Sequence, residues 1–335
     1  MKNVTIYEVA KEADVSLATV SRVINNSKLV KEKTRIAVEK AIVKLGYKPN
    51  AMAQGLVLKK TTTIAIVIPE PAFSYNTQLI LGMCNVSKIY NYNALLYTIS
   101  EGVSSLKEIV DSVIKSRADG VIVINNDYLD LDDFIDTLKE YSIPIVLVGS
   151  EEDEKDVCSV YIDFKNAVKE ICDRFLENNV KDILILEDRR NLSITNQMIE
   201  GAKLSFKEHK VQFDNYLEYS NDERSSYKFL RSYLKFNKQC KLMIVSRDSQ
   251  ALACLNAARE NDIKVPEDME IICMNESKYT SMVRPKISGF MVPTYDLGMV
   301  AMRVMTKMLN NEDVEEKQKV LGYLYRDRDT TKGKE

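Results

Sequence analysis

The stretch EADVSLATVSRVIN, residues 12–25, decides how the rest of this sequence is interpreted. Val15, Val20 and Val23 are interpreted as core residues on one side of a predicted turn and helix. The other side carries one large apolar residue, two small residues and one cation: Leu17, Ala18, Ser21 and Arg22. This helix contains no acidic residue. Such an outer surface indicates that the helix binds a partner, and the flanking sequence indicates the class of that partner.

Local signals place three short helices around this stretch. Thr5 and Glu8 match a capping box, in which a hydroxyl precedes the helix and a carboxylate follows three residues later. Ser16 is suited to cap the second helix, and Gly46 is suited to end the third. The predicted helices cover about residues 6–13, 17–24 and 32–45. Their shared core is predicted to contain a set of apolar residues: Val9, Ala10, Val15, Val20, Val23, Val38 and Ile42.

Two helices joined by a tight turn indicate a helix-turn-helix, whose second helix lies in the major groove of DNA. Ala18 and Ser21 are small enough for close approach, and Leu17 offers apolar contact. Arg22 can donate two hydrogen bonds to guanine O6 and N7. Phosphate contacts are predicted at the polar residues around this helix: Thr5, Tyr7, Ser16, Thr19 and Asn25. The alternative is a three-helix interaction module in which the arginine is incidental.

Charge is unevenly distributed along the chain. Residues 1–60 contain 12 Lys and Arg against 5 Asp and Glu, a net charge of +7. The remainder contains 35 against 44, a net charge of −9. A basic segment on an acidic body predicts an anionic partner for the first segment alone. Residues 49–60, PNAMAQGLVLKK, are too short to hold a helix alone in water and are interpreted as a hinge that folds on contact.

After residue 60, apolar runs alternate with helical patterns in two successive series. Strand-length apolar runs separated by helices predict parallel sheets covered on both faces. The predicted fold class is α/β, with a helix-turn-helix headpiece and two doubly wound parallel-sheet subdomains. KVLGYLY, residues 319–325, is predicted as one late strand, and the tail TTKGKE is polar. The predicted divisions are a headpiece at 1–48, a hinge at 49–60 and a core at 61–335, with an N-subdomain at about 61–161 and 292–318 and a C-subdomain at about 162–291 and 319–335.

Several classes of protein are disfavoured by the sequence. The six cysteines form no C-x-x-C pair and the single histidine, His209, lies in a charged stretch, so no metal site and no histidine triad is predicted. Without a dinucleotide, Walker-type or G-x-S-x-G motif, no catalytic residue or cofactor is predicted. No apolar signal segment and no uncharged apolar run of about 18 residues is present, so a cytoplasmic location is expected. A secreted sugar-binding receptor and an enzyme on a doubly wound sheet are the disfavoured alternatives.

In the strings VTIYEVAKEADVSLATVSRVIN (4–25) and LGYKPNAMAQGL (45–56), the sequence resembles the LacI/GalR family of bacterial repressors. The resemblance covers essentially the whole chain and implies a periplasmic-binding-protein-like core of type I, a homodimer and a pseudo-palindromic operator. It also implies DNA contacts in and beside the hinge: Tyr47, Asn50, Ala53 and Leu56. Leu56 would be the wedge that pries apart the central base step, and its alternative role is packing against the core. Gln54 stands where family members often carry arginine.

Three further strings resemble one branch of the family, whose members take serine-phosphorylated HPr as a corepressor: KKTTTIAIVIPE (59–70), SMVRPKIS (281–288) and PTYDLGMVAMRVMTK (293–307). The resemblance implies corepressor contacts at five positions: Tyr90, Tyr295, Asp296, Met299 and Arg303. Arg303 is the expected phosphoserine ligand because a guanidinium fork matches phosphate. Val300 and Met302 are expected to add apolar contact. The alternative is a dimer or core helix with one solvated arginine, and LGMCN at 81–85 departs from the more charged string of relatives.

Relatives also bind small molecules in a cleft between the two subdomains. The resemblance implies cleft positions at Phe73, Met198, Asp248 and Asn275. Met198 stands where relatives usually have arginine, and Asn275 stands where they usually have aspartate. A polar ligand needs several fixed donors and acceptors, since an unpaired buried group costs about 1–3 kcal/mol. The absence of both the arginine and the aspartate argues against a conventional sugar or purine pocket. A small metabolite that binds in a remodelled cleft is the alternative effector to HPr.

Overall fold

The computed structural model describes residues 4–24, 27, 29–47, 61–69, 74–99, 105–124, 131–149, 151, 157–188, 192–219 and 223–333. Within it the chain forms two compact units, Met1–Thr62 and Thr63–Glu335. The hinge predicted at residues 49–60 lies outside the described residues.

The described residues of the first unit form three helices, α1 (Ile6–Glu12), α2 (Leu17–Ile24) and α3 (Glu32–Leu45). Each begins and ends within one residue of its predicted bounds. Val9, Val20 and Val38 are fully buried where the three helices meet, and Ala10, Val23 and Ala41 complete the buried cluster. Gly46 ends α3 with a φ of 64°, a left-handed conformation in which glycine carries no steric penalty. The predicted three-helix arrangement is confirmed.

The second unit alternates strands and helices. Its strands are β1 (Thr63–Pro69), β2 (Asn93–Ile99), β3 (Gly120–Ile124), β4 (Ile145–Val148), β5 (Cys158–Tyr161), β6 (Ile183–Asp188), β7 (Tyr216–Tyr219), β8 (Leu242–Val245), β9 (Glu270–Cys273), β10 (Ser288–Met291), β11 (Gln318–Val320) and β12 (Leu324–Arg326). Its helices are α4 (Ser74–Ile89), α5 (Ser105–Ser116), α6 (Leu131–Glu140), α7 (Phe164–Glu177), α8 (Leu192–Glu208), α9 (Glu223–Phe236), α10 (Asp248–Glu260), α11 (Lys278–Met282) and α12 (Thr294–Leu309).

These strands form two six-stranded sheets. The first has the order β11-β5-β4-β3-β1-β2 and is parallel throughout. The second has the order β12-β10-β9-β8-β6-β7 and is parallel except for the antiparallel pair of β10 and β12. Apolar runs such as β3, GVIVI, are buried along their whole length, as expected for central parallel strands. The predicted α/β class is confirmed.

The late strand predicted at residues 319–325 is wrong in one respect. Two short strands occupy this region, and they belong to different sheets: β11 pairs with β5, and β12 pairs with β10. Leu321 and Tyr323 lie between them and pack against the core. An unbroken apolar run in sequence does not show that its two halves have different strand partners.

Three further features depart from the sequence-based expectation. Strand β10 and the short helix α11 were not predicted as elements. Leu95 and Leu96 of β2 are exposed, although the apolar pattern predicted a strand covered on both faces. The polar tail contains two fully or almost fully buried residues, Thr330 and Thr331. The hydroxyl of Thr330 donates to the carbonyl of Ile271 at 2.8 Å and accepts from the amide of Ser288 at 2.8 Å, so the tail is part of the second sheet's core.

Candidate nucleic-acid interface and regulatory surfaces

Ser16 precedes helix α2 and caps its amino end. The amide of Thr19 donates to Oγ of Ser16 at 3.2 Å, which caps one of the amides left open in the first turn. The two hydroxyl oxygens of Ser16 and Thr19 are 2.9 Å apart. The predicted cap is therefore present. Because both hydroxyls lie at the amino end of α2, where amide dipoles favour an anion, they are suited to contact a phosphate.

The outer face of α2 has the composition that the sequence predicts. Val20 and Val23 are buried in the headpiece core, whereas Ala18 and Arg22 are exposed and Leu17 is 37% exposed. Ser21 is half-buried. The first turn of α2 contains no acidic residue, and Arg22 supplies a cation in its last turn. Small, apolar and cationic groups therefore share the exposed surface, with no carboxylate from the helix to repel a phosphate.

The remaining DNA-binding candidates fall into three groups. Tyr7 is 69% exposed on α1, and Tyr47 is half-buried against the headpiece core. Thr5 donates to Oε2 of Glu8 from both its amide, at 2.7 Å, and its hydroxyl, at 3.0 Å. A phosphate would therefore have to compete with this carboxylate for Thr5. Four candidates lie outside the described residues: Asn25, Asn50, Ala53 and Leu56.

The proposed corepressor residues lie on α12 and at the end of α4. Asp296, Arg303 and Tyr90 are exposed, and Tyr295 and Met299 are half-buried. Nδ2 of Asn85 on α4 donates to the Tyr295 hydroxyl at 2.9 Å, so the two helices jointly orient this ring. Val300 is half-buried and remains near the surface. The expectation of outward contact from Met302 is wrong, because its position on α12 turns it into the core, where it is fully buried.

Arg303 also lines a groove that sequence reasoning did not identify. The groove has a volume of about 410 Å³ and lies between α12 and β11. Its charged lining comprises Arg303, Lys307 and Lys319 together with Glu315 and Glu316. Nζ of Lys319 is 3.7 Å from Glu316. Lys307 follows Arg303 by one helical turn, so the sequence alone places these two residues on the same face of α12. Lys319 lies on the separate strand β11, and the sequence does not indicate that it is close to them.

Two of the four cleft candidates lie at the carboxyl edge of the second sheet. Asp248 begins α10 just after β8, and Asn275 follows β9 by two residues. Both are half-buried. Arg247, beside Asp248, is buried to 5% exposure and was not predicted as a site residue. Met198 is fully buried among apolar side chains, and Phe73 lies outside the described residues.

Three chemical features of the described residues bear on other possible functions: the pKa values of buried thiols, metal-binding clusters and membrane-spanning helices. Burial raises the pKa of the Cys240 thiol to about 12 and raises the pKa of Cys254 and Cys273 well above its ordinary value. Among the described residues, no cluster of three or more His, Cys, Asp and Glu is arranged to hold a metal ion. No described helix combines the length and apolar character that crossing a membrane requires.

Comparison with known proteins gives two family matches. Residues 5–50 match the model described as bacterial regulatory proteins, lacI family, and residues 172–331 match the periplasmic binding protein-like domain. The fold is similar to that of the lac repressor dimer bound to operator and the anti-inducer ONPF, with a TM-score of 0.87 and 22% identity over 98% of this chain and 99% of that chain. A curated Staphylococcus xylosus relative is 34% identical over 332 residues, 98% of this chain and 99% of the relative. The chain therefore belongs to the LacI family of bacterial regulatory proteins and is a DNA-binding transcription regulator.

Within this family, the chain is similar to catabolite control protein A. The Staphylococcus xylosus relative carries that name, as does a Staphylococcus epidermidis relative that is 33% identical over 331 residues, 98% of this chain and 99% of the relative. The crystal structure of transcription regulator CcpA of Lactococcus lactis aligns with a TM-score of 0.69 and 27% identity, covering 81% of this chain and 99% of that chain.

Proposed function

We propose that this chain is a cytoplasmic, non-catalytic regulator that binds a pseudo-palindromic operator as a homodimer, with serine-phosphorylated HPr as its corepressor. Residues 1–48 would form the DNA-binding headpiece, and residues 49–60 would form a hinge in which Asn50, Ala53 and Leu56 contact the minor groove. The observation that carries the proposal is the exposed face of α2, which presents Leu17, Ala18 and Arg22 and contains no acidic residue.

Binding as a homodimer is supported by apolar groups left exposed in the second unit. Strand β2 is the last strand of the first sheet, and its Leu95 and Leu96 are 37% and 44% exposed. Leu81 and Ile89 of the neighbouring helix α4 are also exposed. An apolar sheet edge of this kind favours association with another chain. A second copy would also supply the second headpiece that a two-fold symmetric DNA site requires.

Recognition of a phosphorylated protein is supported by the groove beside Arg303. A phosphoserine carries close to two negative charges at neutral pH and three acceptor oxygens, and a guanidinium fork binds such a group in a bidentate manner. Lys307 lines the same groove and supplies a second cation, whereas Lys319 is paired with Glu316 there. Tyr295, held by Asn85, and Met299 provide the partly apolar surroundings that a protein partner would contact.

A second candidate effector is a small anionic metabolite bound between the two subdomains. Arg247 favours this alternative, because it is a buried cation beside Asp248 at the carboxyl edge of a parallel sheet. In doubly wound folds, ligands bind at that edge. Replacement of the usual cleft arginine by Met198 argues against a neutral sugar of the conventional kind.

The test compares both effectors in one assay. Operator affinity of the full chain is measured by fluorescence anisotropy with serine-phosphorylated HPr, with unphosphorylated HPr and with a panel of phosphorylated and carboxylated metabolites. Only phosphorylated HPr is expected to raise the affinity. An increase caused by a metabolite alone would reject the corepressor assignment and leave the DNA-binding function intact.

A further inference from the structure

Two successive hydrogen bonds connect the end of α2 to a side chain of α3. The amide of Ser27 donates to the carbonyl of Arg22 at 2.9 Å, and Nη2 of Arg35 donates to the carbonyl of Ser27 at 2.7 Å. The first bond spans the interval of a Schellman-type helix end, which satisfies a carbonyl that the last turn leaves open. That carbonyl belongs to Arg22, the residue proposed to read guanine.

Arg35 is well placed to fix this helix end. Its side chain is only 19% exposed, and its Nε lies 3.9 Å from Oε2 of Glu32, which limits the orientations of the guanidinium. A cation at the carboxyl end of a helix also interacts favourably with the helix dipole. A hydrogen bond from a charged donor is stronger than one between neutral groups. These contacts tie the last turn of α2 to α3 rather than leaving it to fray.

We propose that Arg35 is a positioning residue for operator recognition, which acts on Arg22 through Ser27 and does not itself touch DNA. This inference rests on the proposed function of α2. Bidentate recognition of a base requires the guanidinium of Arg22 to be held within about 0.5 Å of its productive position. Because that guanidinium lies at the end of a long side chain, a loosened last turn displaces it directly.

The rival role for Arg35 is a direct phosphate contact, and it has a different signature. Loss of a phosphate contact weakens binding to all sequences about equally and lowers the slope of affinity against salt by about one. Loss of a positioning contact instead lowers the preference at the base pair that Arg22 reads. The two roles are therefore separable by measuring sequence preference and salt slope on the same variants.

The experiment uses the full chain and selection from a random duplex library, followed by sequencing. The wild type defines the preferred motif, and Arg22→Ala identifies the base pair whose preference depends on that arginine. Arg35→Met and Arg35→Lys are then compared with the control Lys44→Met. Lys44 is also a cation of α3, but its Nζ is paired with Oε1 of Glu12 on α1 at 2.7 Å.

We expect Arg35→Met to lower the preference at the Arg22 base pair by about tenfold, within the range for losing a bidentate arginine–guanine contact. Arg35→Lys should recover part of that preference, Lys44→Met should keep all of it, and adding Arg35→Met to Arg22→Ala should lower it no further. Full preference in Arg35→Met, or a uniform loss with a reduced salt slope, would overturn the inference. If circular dichroism shows that Arg35→Met does not fold, the result for Arg35→Lys tests the inference instead. A partial loss of preference at the Arg22 base pair in Arg35→Lys supports the inference, and full preference rejects it. A wild type that selects no motif would reject the proposed function instead.

Discussion

Gly82 of α4 and Gly298 of α12 allow the two helices to cross with their backbones in contact. A Cβ atom on Gly82 would lie 2.1 Å from the carbonyl oxygen of Tyr295, and a Cβ atom on Gly298 would lie 2.1 Å from the carbonyl oxygen of Leu79. The obstacles are backbone atoms, so neither clash can be relieved by a side-chain rotation. This crossing sets the position of Tyr295 and therefore of the proposed corepressor surface.

Substitution of either crossing glycine should destabilise the second unit. Gly298→Ala is expected to lower the free energy of unfolding by at least about 1–3 kcal/mol, because the helices must separate to admit one methyl group. Gly322→Ala is the control, since nothing lies within 4 Å of a Cβ at that glycine. Differential scanning calorimetry measures both variants. Equal melting temperatures for the two would show that the helices do not cross as closely as described.

Removal of the arginine on α2 should reduce sequence discrimination more than overall affinity for DNA. Arg22→Ala is expected to lose about 1–3 kcal/mol of discrimination per half-site, because its two donors can no longer pair with guanine. Quantitative gel shifts with the preferred duplex and a single-base variant measure the loss. Lys33→Ala, an exposed cation of α3, serves as the control and should leave the preference unchanged. An Arg22→Ala variant with wild-type preference would contradict the assignment.

Substitution of Arg303 should separate DNA binding from corepressor response. Arg303→Ala is expected to bind bare operator as the wild type does, and to lose most of the increase in affinity that phosphorylated HPr causes. Lys307→Ala should weaken the same response by a smaller factor, since a lysine acts as a point charge without a bidentate fork. Anisotropy titrations with and without HPr measure these effects.

The control for this pair is Lys115→Ala, which removes an exposed cation from α5, a helix that packs on the other face of the first sheet. It should leave both binding and response unchanged. An equal loss of DNA binding and corepressor response in Arg303→Ala would instead show that the arginine stabilises the fold.

The buried threonine in the tail should contribute measurable stability. Thr330→Val keeps the shape of the side chain but removes the hydroxyl that bonds to Ile271 and Ser288. Leaving such buried partners unsatisfied costs about 1–3 kcal/mol. Urea denaturation measures the change. The control is Thr137→Val on α6, a half-buried threonine whose hydroxyl donates to the Asp133 carbonyl of the same helix, and it is expected within about 0.5 kcal/mol of the wild type. A Thr330→Val variant as stable as that control would mean that the tail is not docked.

The thiols should differ in reactivity according to burial. Five of the six cysteines are buried, and Cys84 alone is partly exposed. Burial raises the pKa of Cys240 to about 12, so almost none of it is thiolate at pH 8. Ellman's reagent at pH 8 is expected to titrate one thiol in the native protein and six in denaturant. Rapid reaction of three or more native thiols would contradict the described packing.

Local signals in the sequence were sufficient to predict the headpiece. The cap at Ser16, the stop at Gly46 and the apolar spacing of α3 act within a few residues, so the helices and the exposed face of α2 followed from sequence. The strand pairings of the chain end were not predictable in the same way. Gln318 pairs with Ser159 and Leu324 pairs with Met291, and such distant partners leave no local pattern.

The regulatory surfaces were only partly predictable for the same reason. The resemblance to relatives identified individual residues such as Arg303 and Tyr295, but only the fold shows what surrounds them. Lys319 on β11 lines the groove of Arg303, and Asn85 on α4 donates to Tyr295 on α12. Met302 was misplaced because a short methionine-rich run does not show which of its members faces the core. Burial of Arg247 likewise depends on sheet packing that its charged sequence context does not indicate.

The most direct test of the central claim measures stoichiometry and preference together. The full chain is titrated, at about 0.15 M salt, with a two-fold symmetric duplex obtained by selection and with a scrambled duplex of equal length, and the complexes are weighed by sedimentation velocity. We predict one dimer per symmetric duplex, bound at least about 10³-fold more tightly than the scrambled one. A monomeric complex, or equal affinity for the two duplexes, would contradict the account.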